Sequence, residues 1–294
     1  MNDKTKGTLL TIISAIIFGT APLFAKSIYA HGSNSITFVV HRAVICAVWS
    51  WAIQAFYVRE SFKITWQELK KVFVCSLGFI LTPLLLYSAY NFLSSGLSTT
   101  IHFVYPVLVL LGCVLFFREK VNTKKIICCV LCMLGIICFY TPDGSISITG
   151  ILIALSSGVT YAFYVVYLDK SGLQSIPAFK LNFWINFLSS IEIVIVAICT
   201  RQLTFALEPI AWGASLLYAT LCCIGCIAFQ VGTKHVGAQS ASLLSAFEPA
   251  TSVVLGILIF SEQLTLLSAV GIISILVSVI LLSVGNSEEK LQSA

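Results

Sequence analysis

The chain has 294 residues, of which 58% are hydrophobic and only 10% are charged, and its mean hydropathy is +0.99. A soluble globular protein carries about 25% charged residues, so this composition excludes that class. Disordered and nucleic-acid-binding chains are excluded as well, because the net charge of +5 is small and comes from loops. The composition predicts an integral membrane protein that has the lipid bilayer as its solvent.

Ten apolar runs are long enough to cross a hydrocarbon core about 30 Å thick as helices. They cover residues 8–29, 35–57, 70–89, 97–117, 124–141, 149–168, 176–199, 211–231, 240–260 and 265–284. Backbone groups in lipid have no water to bond, and the sequence lacks the short alternating strands of a membrane barrel. The fold class predicted is therefore all-α integral membrane, with ten transmembrane helices.

The distribution of Lys and Arg predicts the orientation. With the amino terminus in the cytoplasm, fourteen of the 17 basic residues fall in cytoplasmic loops and termini. Arg201 alone falls on the other side, while Lys26 and Arg42 lie within spans. This bias predicts that both termini are cytoplasmic, in a plasma membrane or a bacterial inner membrane. Topology and anionic lipid headgroups account for the loop charges without a nucleic-acid partner.

A shift of 143 residues aligns the two halves of the chain. The matched pairs are Gly7 with Gly150, Ser14 with Ser157, Phe18 with Tyr161, Pro106 with Pro249 and Glu119 with Glu262. Five spans per half is an odd number, so a duplicated second half must be inverted in the membrane relative to the first. The sequence thus predicts two inverted five-helix repeats, residues 1–142 and 149–285, followed by a short cytoplasmic tail at 286–294.

These features resemble the drug/metabolite transporter superfamily, and in particular its EamA-like branch. The resemblance rests on five plus five spans, a Pro in spans four and nine, and a Glu thirteen residues later, in Phe117-Arg118-Glu119-Lys120 and Ser261-Glu262-Gln263-Leu264. It covers nearly the whole chain. It implies a carrier of small organic solutes, often an exporter, with a central cavity walled by spans one, three, four, six, eight and nine.

Polar side chains in spans four and nine predict the lining of this cavity. In span nine they recur at intervals of three or four and share one helical face: Gln239, Ser242, Ser245, Glu248 and Ser252. The same shift maps the first four onto Gly96, Thr99, His102 and Tyr105 in span four. Because polar groups are costly in lipid, we expect these faces to line a solute path. The alternative is close helix packing through small residues.

Glu248 and His102 are the candidate binding groups. Pro249 follows Glu248, which is expected to free the carbonyl near Ser245 and to kink the helix. An ionised Glu248 would attract an ammonium group or another cation, whereas a protonated one would couple transport to a proton. His102 could act as a hydrogen-bond donor, a proton relay or a packing residue. The sequence leaves these alternatives open.

Spans one, two, three and six add further candidates. Ser14 and Phe18 in span one, with Ser157, Tyr161 and Tyr164 in span six, follow helical spacing, and mid-span tyrosines suit aromatic or amphipathic solutes. Thr82-Pro83 is expected to interrupt span three, and Pro83, Pro106 and Pro249 are candidate hinges.

Arg42 resembles the family's Arg in span two, but the equivalent position in span seven is Ile185. Arg42 is therefore either a ligand for a substrate carboxylate, or a residue that sets topology or contacts an interhelical carbonyl.

Eleven cysteines lie almost entirely within spans, and two groups follow a Cys-Cys-x-x-Cys pattern, at 128–132 and 222–226. We expect these cysteines to fill space as small apolar side chains, with no metal site and no cofactor, although a metal or redox site is the alternative.

The function predicted is alternating-access transport of small organic solutes, such as amino acids or amphipathic metabolites, and not an enzymatic activity. The alternatives are an intramembrane enzyme or a channel that uses His102 and Glu248. No pattern predicts an oligomeric state.

Overall fold

The computed structural model describes residues 2–93, 95–118, 123–138 and 147–260, and part of 266–281, namely 266–267, 269–271, 273–274, 277–278 and 281. Glu119, Glu262, the end of predicted span five, most of predicted span ten and the predicted tail lie outside the described residues. All regular secondary structure within the described ranges is helical.

The helices, in chain order, are α1 (Asp3–Gly19), α2 (Ala21–Ala30), α3 (Ser35–Ala52), α4 (Trp66–Ala89), α5 (Ser95–His102), α6 (Tyr105–Phe117), α7 (Thr123–Ile137), α8 (Ile148–Lys170), α9 (Ala178–Thr200), α10 (Pro209–Val236), α11 (Ala238–Leu244) and α12 (Phe247–Phe260). A π-helical segment, Ile53–Val58, extends α3. Counting α1 with α2, and α3 with its extension, six segments of the described chain are long and apolar enough to cross a membrane, and α6 is a shorter apolar helix. The fold is thus that of an all-helical membrane protein.

Predicted spans four and nine are each broken about a third of the way along. The breaks fall at residues 103–104, between α5 and α6, and at 245–246, between α11 and α12, which the 143-residue shift superposes to within one residue. Pro106 and Pro249 lie in the first turn of the helix that follows each break. Backbone N–H groups in a first turn have no partner within the helix, so proline costs no helical hydrogen bond there. The expectation of a free Ser245 carbonyl is wrong, because this oxygen accepts the amide N–H of Glu248 at 2.9 Å.

Spans one and three also differ from expectation. α4 continues as one helix through Pro83, so the predicted interruption at Thr82-Pro83 is wrong. The Thr82 hydroxyl donates to the carbonyl of Gly78 at 2.8 Å within the same helix. Span one, expected as one helix, instead breaks at Thr20, whose hydroxyl donates to the carbonyl of Ile17 at 2.7 Å.

Helices of the two halves interlock. α1 packs along α10 and α8 packs along α4, while α3 packs against both α9 and α10, and α9 against α4. The 143-residue shift relates α1 to α8, α4 to α10 and α3 to α9, so each of these contacts has a counterpart. The main interfaces therefore join one half to the other rather than helices within a half.

One close contact between the halves lies at Gly19, where α1 ends against α12. A Cβ atom at Gly19 would lie 2.6 Å from the carbonyl oxygen of Glu248 and 2.7 Å from Cβ of Thr251. The hydroxyl of Ser252 donates to the Gly19 carbonyl at 2.7 Å. Only a residue without a side chain allows this approach of the two backbones.

We expect Gly19→Ala to lower the free energy of unfolding by about 1–3 kcal/mol, because the added methyl group must push α1 away from α12. Gly213 in α10 is a matched control, since a Cβ atom there meets nothing within 4 Å. Gly213→Ala should leave stability unchanged or raise it by about 0.5–1 kcal/mol. Unfolding of the purified protein in detergent measures both variants, and equal stability of the two would contradict the contact.

Candidate functional site

A cavity of about 60 Å³ lies between the two halves of the chain. Eight helices contribute to its lining: α1, α2, α3, α4 and α5 from the first half, and α8, α10 and α12 from the second. A water molecule occupies about 30 Å³ in the liquid, so this volume suits about two water-sized groups. A side chain from either half can therefore reach the same small space.

Half of the binding residues predicted from the sequence line this cavity. These are Phe18, Arg42, His102, Tyr161, Tyr164 and Glu248, and the predicted hinge residue Pro83 lies among them. The structure thus brings together side chains from five separate predicted spans, in addition to Pro83 in a sixth.

The other half are buried outside the lining. They are Ser14, Thr99, Tyr105, Ser157, Ser242 and Ser245. The hydroxyl of Ser242 donates to the carbonyl of Gln239 at 2.9 Å, and that of Ser245 to the carbonyl of Ala241 at 2.9 Å. Each serine hydroxyl therefore donates to a backbone carbonyl of its own helix, which is typical of small polar residues at packed helix interfaces. The predicted hinges Pro106 and Pro249 also lie outside the lining.

Hydrogen bonds and aromatic contacts fix the His102 ring. Nδ1 lies 2.9 Å from the Ser157 hydroxyl, which itself donates to the carbonyl of Ala154 at 2.6 Å. The Ser157 hydroxyl has one proton, and it donates this proton to the Ala154 carbonyl. Nδ1 of His102 must therefore carry the proton of the His102–Ser157 hydrogen bond. In a neutral ring, Nε2 is then free of a proton and can accept a hydrogen bond. The rings of Tyr105 and Tyr161 lie 5.2 and 5.5 Å away between centroids.

Aromatic rings form most of the remaining wall. Tyr164 packs against Phe79 at 5.3 Å and stacks on Phe229 at 6.1 Å between centroids. The buried hydroxyl of Tyr161 has no hydrogen-bond partner among the described residues. Such a wall offers a flat apolar surface with an unsatisfied hydroxyl at one point.

A hydrogen-bonded tyrosine pair joins α4 to α10 beside the cavity. The hydroxyl groups of Tyr87 and Tyr218 lie 2.8 Å apart. Phe38 stacks on Tyr87 at 5.1 Å, and Phe24 packs against Tyr218 at 5.0 Å. The sequence reasoning did not select Tyr218, Phe79, Phe229 or Cys226. The positions 218, 226 and 229 nevertheless share one face of α10 by helical spacing, which is a signal that could have found them.

Two side chains of opposite charge line the cavity. Arg42 is 6% exposed and Glu248 is 7% exposed. Neither forms an ion pair within the part of the chain that the structure describes. Arg42 places its guanidinium carbon 5.2 Å from the centre of the Phe79 ring. Glu248 lies in the first turn of α12, where the helix dipole favours a negative charge.

Other polar groups within the spans belong to helix packing. Asn182 donates to the hydroxyl of Ser50 at 2.7 Å, and Asn186 donates to the carbonyl of Asn182 at 2.8 Å. Glu192 accepts the hydroxyl of Ser76 at 2.6 Å. These groups tie α9 to α3 and α4 and do not line the cavity. No group of three or more His, Cys, Asp or Glu side chains among the described residues could hold a metal ion.

A larger hollow of about 800 Å³ lies between α4, α6 and α8. Its walls are mainly apolar and include Leu111, Leu115 and Phe116, which are exposed. Exposed apolar side chains on a spanning helix are typical of a surface that contacts lipid acyl chains. The smaller cavity, which holds the charged and tyrosine side chains, is therefore the candidate functional site.

We expect Ser157→Ala to lower the free energy of unfolding by about 1–3 kcal/mol, because the buried Nδ1 of His102 then loses its partner. Ser156, the adjacent residue, is exposed and donates only to the carbonyl of Leu152. Ser156→Ala should change stability by less than about 0.5 kcal/mol. Chemical unfolding in detergent compares the variants, and equal effects would show that the contact with His102 does not stabilise the fold.

Comparisons with known proteins identify the family and its transporter relatives. The family model described as the EamA-like transporter family matches residues 5–141 and again residues 148–284. An uncharacterized transporter from Synechocystis is 23% identical, over 96% of this chain and 94% of the relative. An uncharacterized transporter from Bacillus subtilis is 28% identical, over 69% of this chain and 67% of the relative.

A solved crystal structure shares the fold, with a TM-score of 0.79 at 14% identity, over 94% of this chain and 96% of that one. Two successive matches to one family model account for nearly the whole sequence. The chain is therefore a membrane transporter that belongs to the EamA-like transporter family.

Proposed function

We propose that the chain is a carrier that moves small organic solutes by alternating access, with the cavity between its halves as the solute site. The observation that carries this proposal is the cavity itself, because charged and aromatic side chains from both halves converge on one buried space. Intramembrane ionisable groups are costly unless they face a partner, a cavity or a solute. Arg42 and Glu248 meet that condition because both line the cavity.

We further propose ten spans arranged as two inverted repeats, residues 1–142 and 149–285, with a cytoplasmic tail at 286–294 and both termini in the cytoplasm. Three features support a duplication: the double match to one family model, the reciprocal helix contacts and the breaks at matched positions in spans four and nine. Inverted repeats suit alternating access, because exchanging the conformations of the two halves turns an inward-facing carrier into an outward-facing one.

Solute binding requires the walls to separate. Sites for organic ligands usually enclose about 300–1,000 Å³, whereas this cavity measures about 60 Å³. The breaks beside α6 and α12 give the two halves places where a change in backbone angles costs few helical hydrogen bonds. Movement at these breaks would enlarge the cavity next to His102 and Glu248.

Glu248 is the residue that we expect to govern solute binding or coupling. As a carboxylate it would hold an ammonium group of the solute, and as a carboxylic acid it would carry a proton. Export is favoured over uptake by family analogy alone. A solute-flux screen in proteoliposomes, with and without a pH gradient, tests the carrier directly.

We expect saturable flux of at least one solute, and Glu248→Gln should lower it by about tenfold or more because a buried charge or proton site is lost. Glu192→Gln is the control, since Glu192 is another carboxylate within a span but lies outside the cavity. It should retain flux within about twofold of the wild type.

Flux that never saturates would indicate a channel, and chemically altered product would indicate an enzyme. Equal flux of Glu248→Gln and Glu192→Gln would contradict the placement of the solute path.

Cysteine labelling tests the inverted topology. Lys63 and Ala206 are exposed, and the 143-residue shift makes them equivalent. In a background with Cys138, Cys199 and the cavity residue Cys226 changed to Ser, a membrane-impermeant maleimide added to intact cells should label Ala206→Cys. It should label Lys63→Cys only after the membrane is permeabilised, because the basic loop is cytoplasmic. Labelling of both positions from the same side would exclude inverted repeats.

A further inference from the structure

One edge of the guanidinium of Arg42, a residue that lines the cavity, is unpartnered. Its Nε and Nη2 atoms are buried and have no hydrogen-bond partner among the described residues. In an arginine side chain the N–H bonds of Nε and Nη2 point in the same direction, so together they form a two-donor edge. This edge matches the spacing of the two oxygens of a carboxylate. Arginine keeps its charge in proteins, so these donors cannot be removed by deprotonation.

The described residues supply no hydrogen-bond partner for Nε or Nη2 of Arg42. The guanidinium lies over the ring of Phe79, and the thiol of Cys222 is its side-chain hydrogen-bonding neighbour away from those two atoms. A ring face attracts the cation from one side but accepts no hydrogen bond along the Nε/Nη2 edge. A buried charged donor without a partner is among the costlier features a protein can hold. The unpaired edge is therefore best explained by a ligand that enters the cavity.

The alternatives left open by the sequence do not account for this edge. A residue that sets topology would extend its charge toward the aqueous surface, whereas Arg42 is 6% exposed. A contact to an interhelical carbonyl would occupy the donors, yet Nε and Nη2 bond no described carbonyl. The position of Arg42 in the cavity lining leaves a solute group as the remaining partner.

We infer that the transported solute carries a carboxylate, which binds side-on to Nε and Nη2 of Arg42. This inference rests on the proposed carrier function and names its substrate class: small organic monocarboxylates, including amino acids, with an apolar or aromatic body. The body would lie against the rings of Phe79, Tyr164 and Phe229, which line the same cavity.

The charge balance of the cavity favours a monoanion. Arg42 is the one Lys or Arg among the described lining residues, and Glu248 lies in the same lining. A doubly charged phosphate would therefore leave a negative charge unpaired in a buried site, which is strongly unfavourable. When Glu248 is protonated, a single carboxylate balances the guanidinium. When Glu248 is ionised, the ammonium group of an amino acid balances the second negative charge.

Matched pairs of ligands test the inference on the purified full-length protein in detergent. The pairs are 3-phenylpropionate with 3-phenylpropanamide, and L-phenylalanine with L-phenylalaninamide, with benzyl phosphate as the alternative anion. Kd is measured by ligand-induced thermal stabilisation. For at least one pair, the wild type should bind the carboxylate about 10- to 100-fold more tightly than the amide, because two charge-assisted hydrogen bonds are lost with the amide.

Three variants locate this preference. Arg42→Gln should reduce the carboxylate-to-amide ratio to about 1, whereas Arg42→Lys should retain part of it, because lysine keeps the charge without the two-donor edge. Lys26→Gln is the control, since Lys26 is a basic residue in the middle of α2 that is exposed and lies outside the lining. It should keep the wild-type ratio.

The outcomes separate this inference from the proposed function. The same ligands are tested for counterflow in proteoliposomes. Binding that prefers the carboxylate through Arg42, but without counterflow of any ligand, would support the Arg42 site and contradict the carrier.

Counterflow with equal preference for acid and amide would support the carrier and overturn the Arg42 site. If Arg42→Gln fails to fold, the carboxylate-to-amide affinity ratios of the wild type decide whether the inference stands. A panel in which no carboxylate binds more tightly than its amide, or in which benzyl phosphate binds most tightly, overturns the inference.

Discussion

A charged or hydrogen-bonding group inside a bilayer must face protein, water or a ligand, because hydrocarbon offers it no partner. The distribution of side chains follows this constraint. Leu115 and Phe116 are 70% and 80% exposed, while the charged residues Arg42 and Glu248 are almost fully enclosed. In a soluble protein the charged side chains lie mainly on the surface. Here the two apolar side chains face outward, and the two charged side chains lie in the interior. Recognition of a polar solute is therefore expected where these groups converge.

The repeated backbone does not carry repeated chemistry. The 143-residue shift places Tyr105 at the position of Glu248, Ile185 at that of Arg42 and Gln230 at that of Tyr87. Helix contacts and breaks recur in both halves, because these depend on glycine, proline and the overall pattern of apolar residues. The charged residues of the cavity lining, Arg42 and Glu248, have no charged counterpart at the equivalent positions. In the proposed carrier, the repeated frame would support two equivalent conformations, while the asymmetric lining would give the solute one preferred orientation.

The sequence predicts the positions of the long helices well and the cavity in part. Hydropathy locates α8, α9 and α10 to within a few residues, because the thickness of the bilayer fixes the length of an apolar run. Helical spacing correctly places polar residues on buried faces, yet it cannot tell a lining face from a packed one. Glu248 and Ser245 share a face in the sequence pattern, but the Ser245 hydroxyl bonds the carbonyl of Ala241 and only Glu248 reaches the cavity.

The helix breaks show a second limit of sequence reasoning. Pro83, Pro106 and Pro249 carry the same local signal, yet α4 continues through the first while breaks precede the other two. The local sequence does not contain the tertiary contacts of each site, such as the approach of α1 at Gly19 to the carbonyl of Glu248 beside Pro249. The Tyr87–Tyr218 pair was missed for a similar reason, because its hydrogen bond joins residues that are 131 positions apart in the chain.

The central claim is that a cavity shared by both halves opens to water on either side of the membrane. Cys226 lines the cavity, whereas Cys75 is equally buried but lies outside the lining. The direct measurement is therefore the alkylation rate of each thiol, by mass spectrometry, in oriented vesicles with a membrane-impermeant maleimide added to one face at a time. The account predicts that Cys226 reacts from both faces, and more slowly with a bound solute, while Cys75 stays unreactive. Reaction of Cys226 from only one face, or no faster than Cys75, would contradict it.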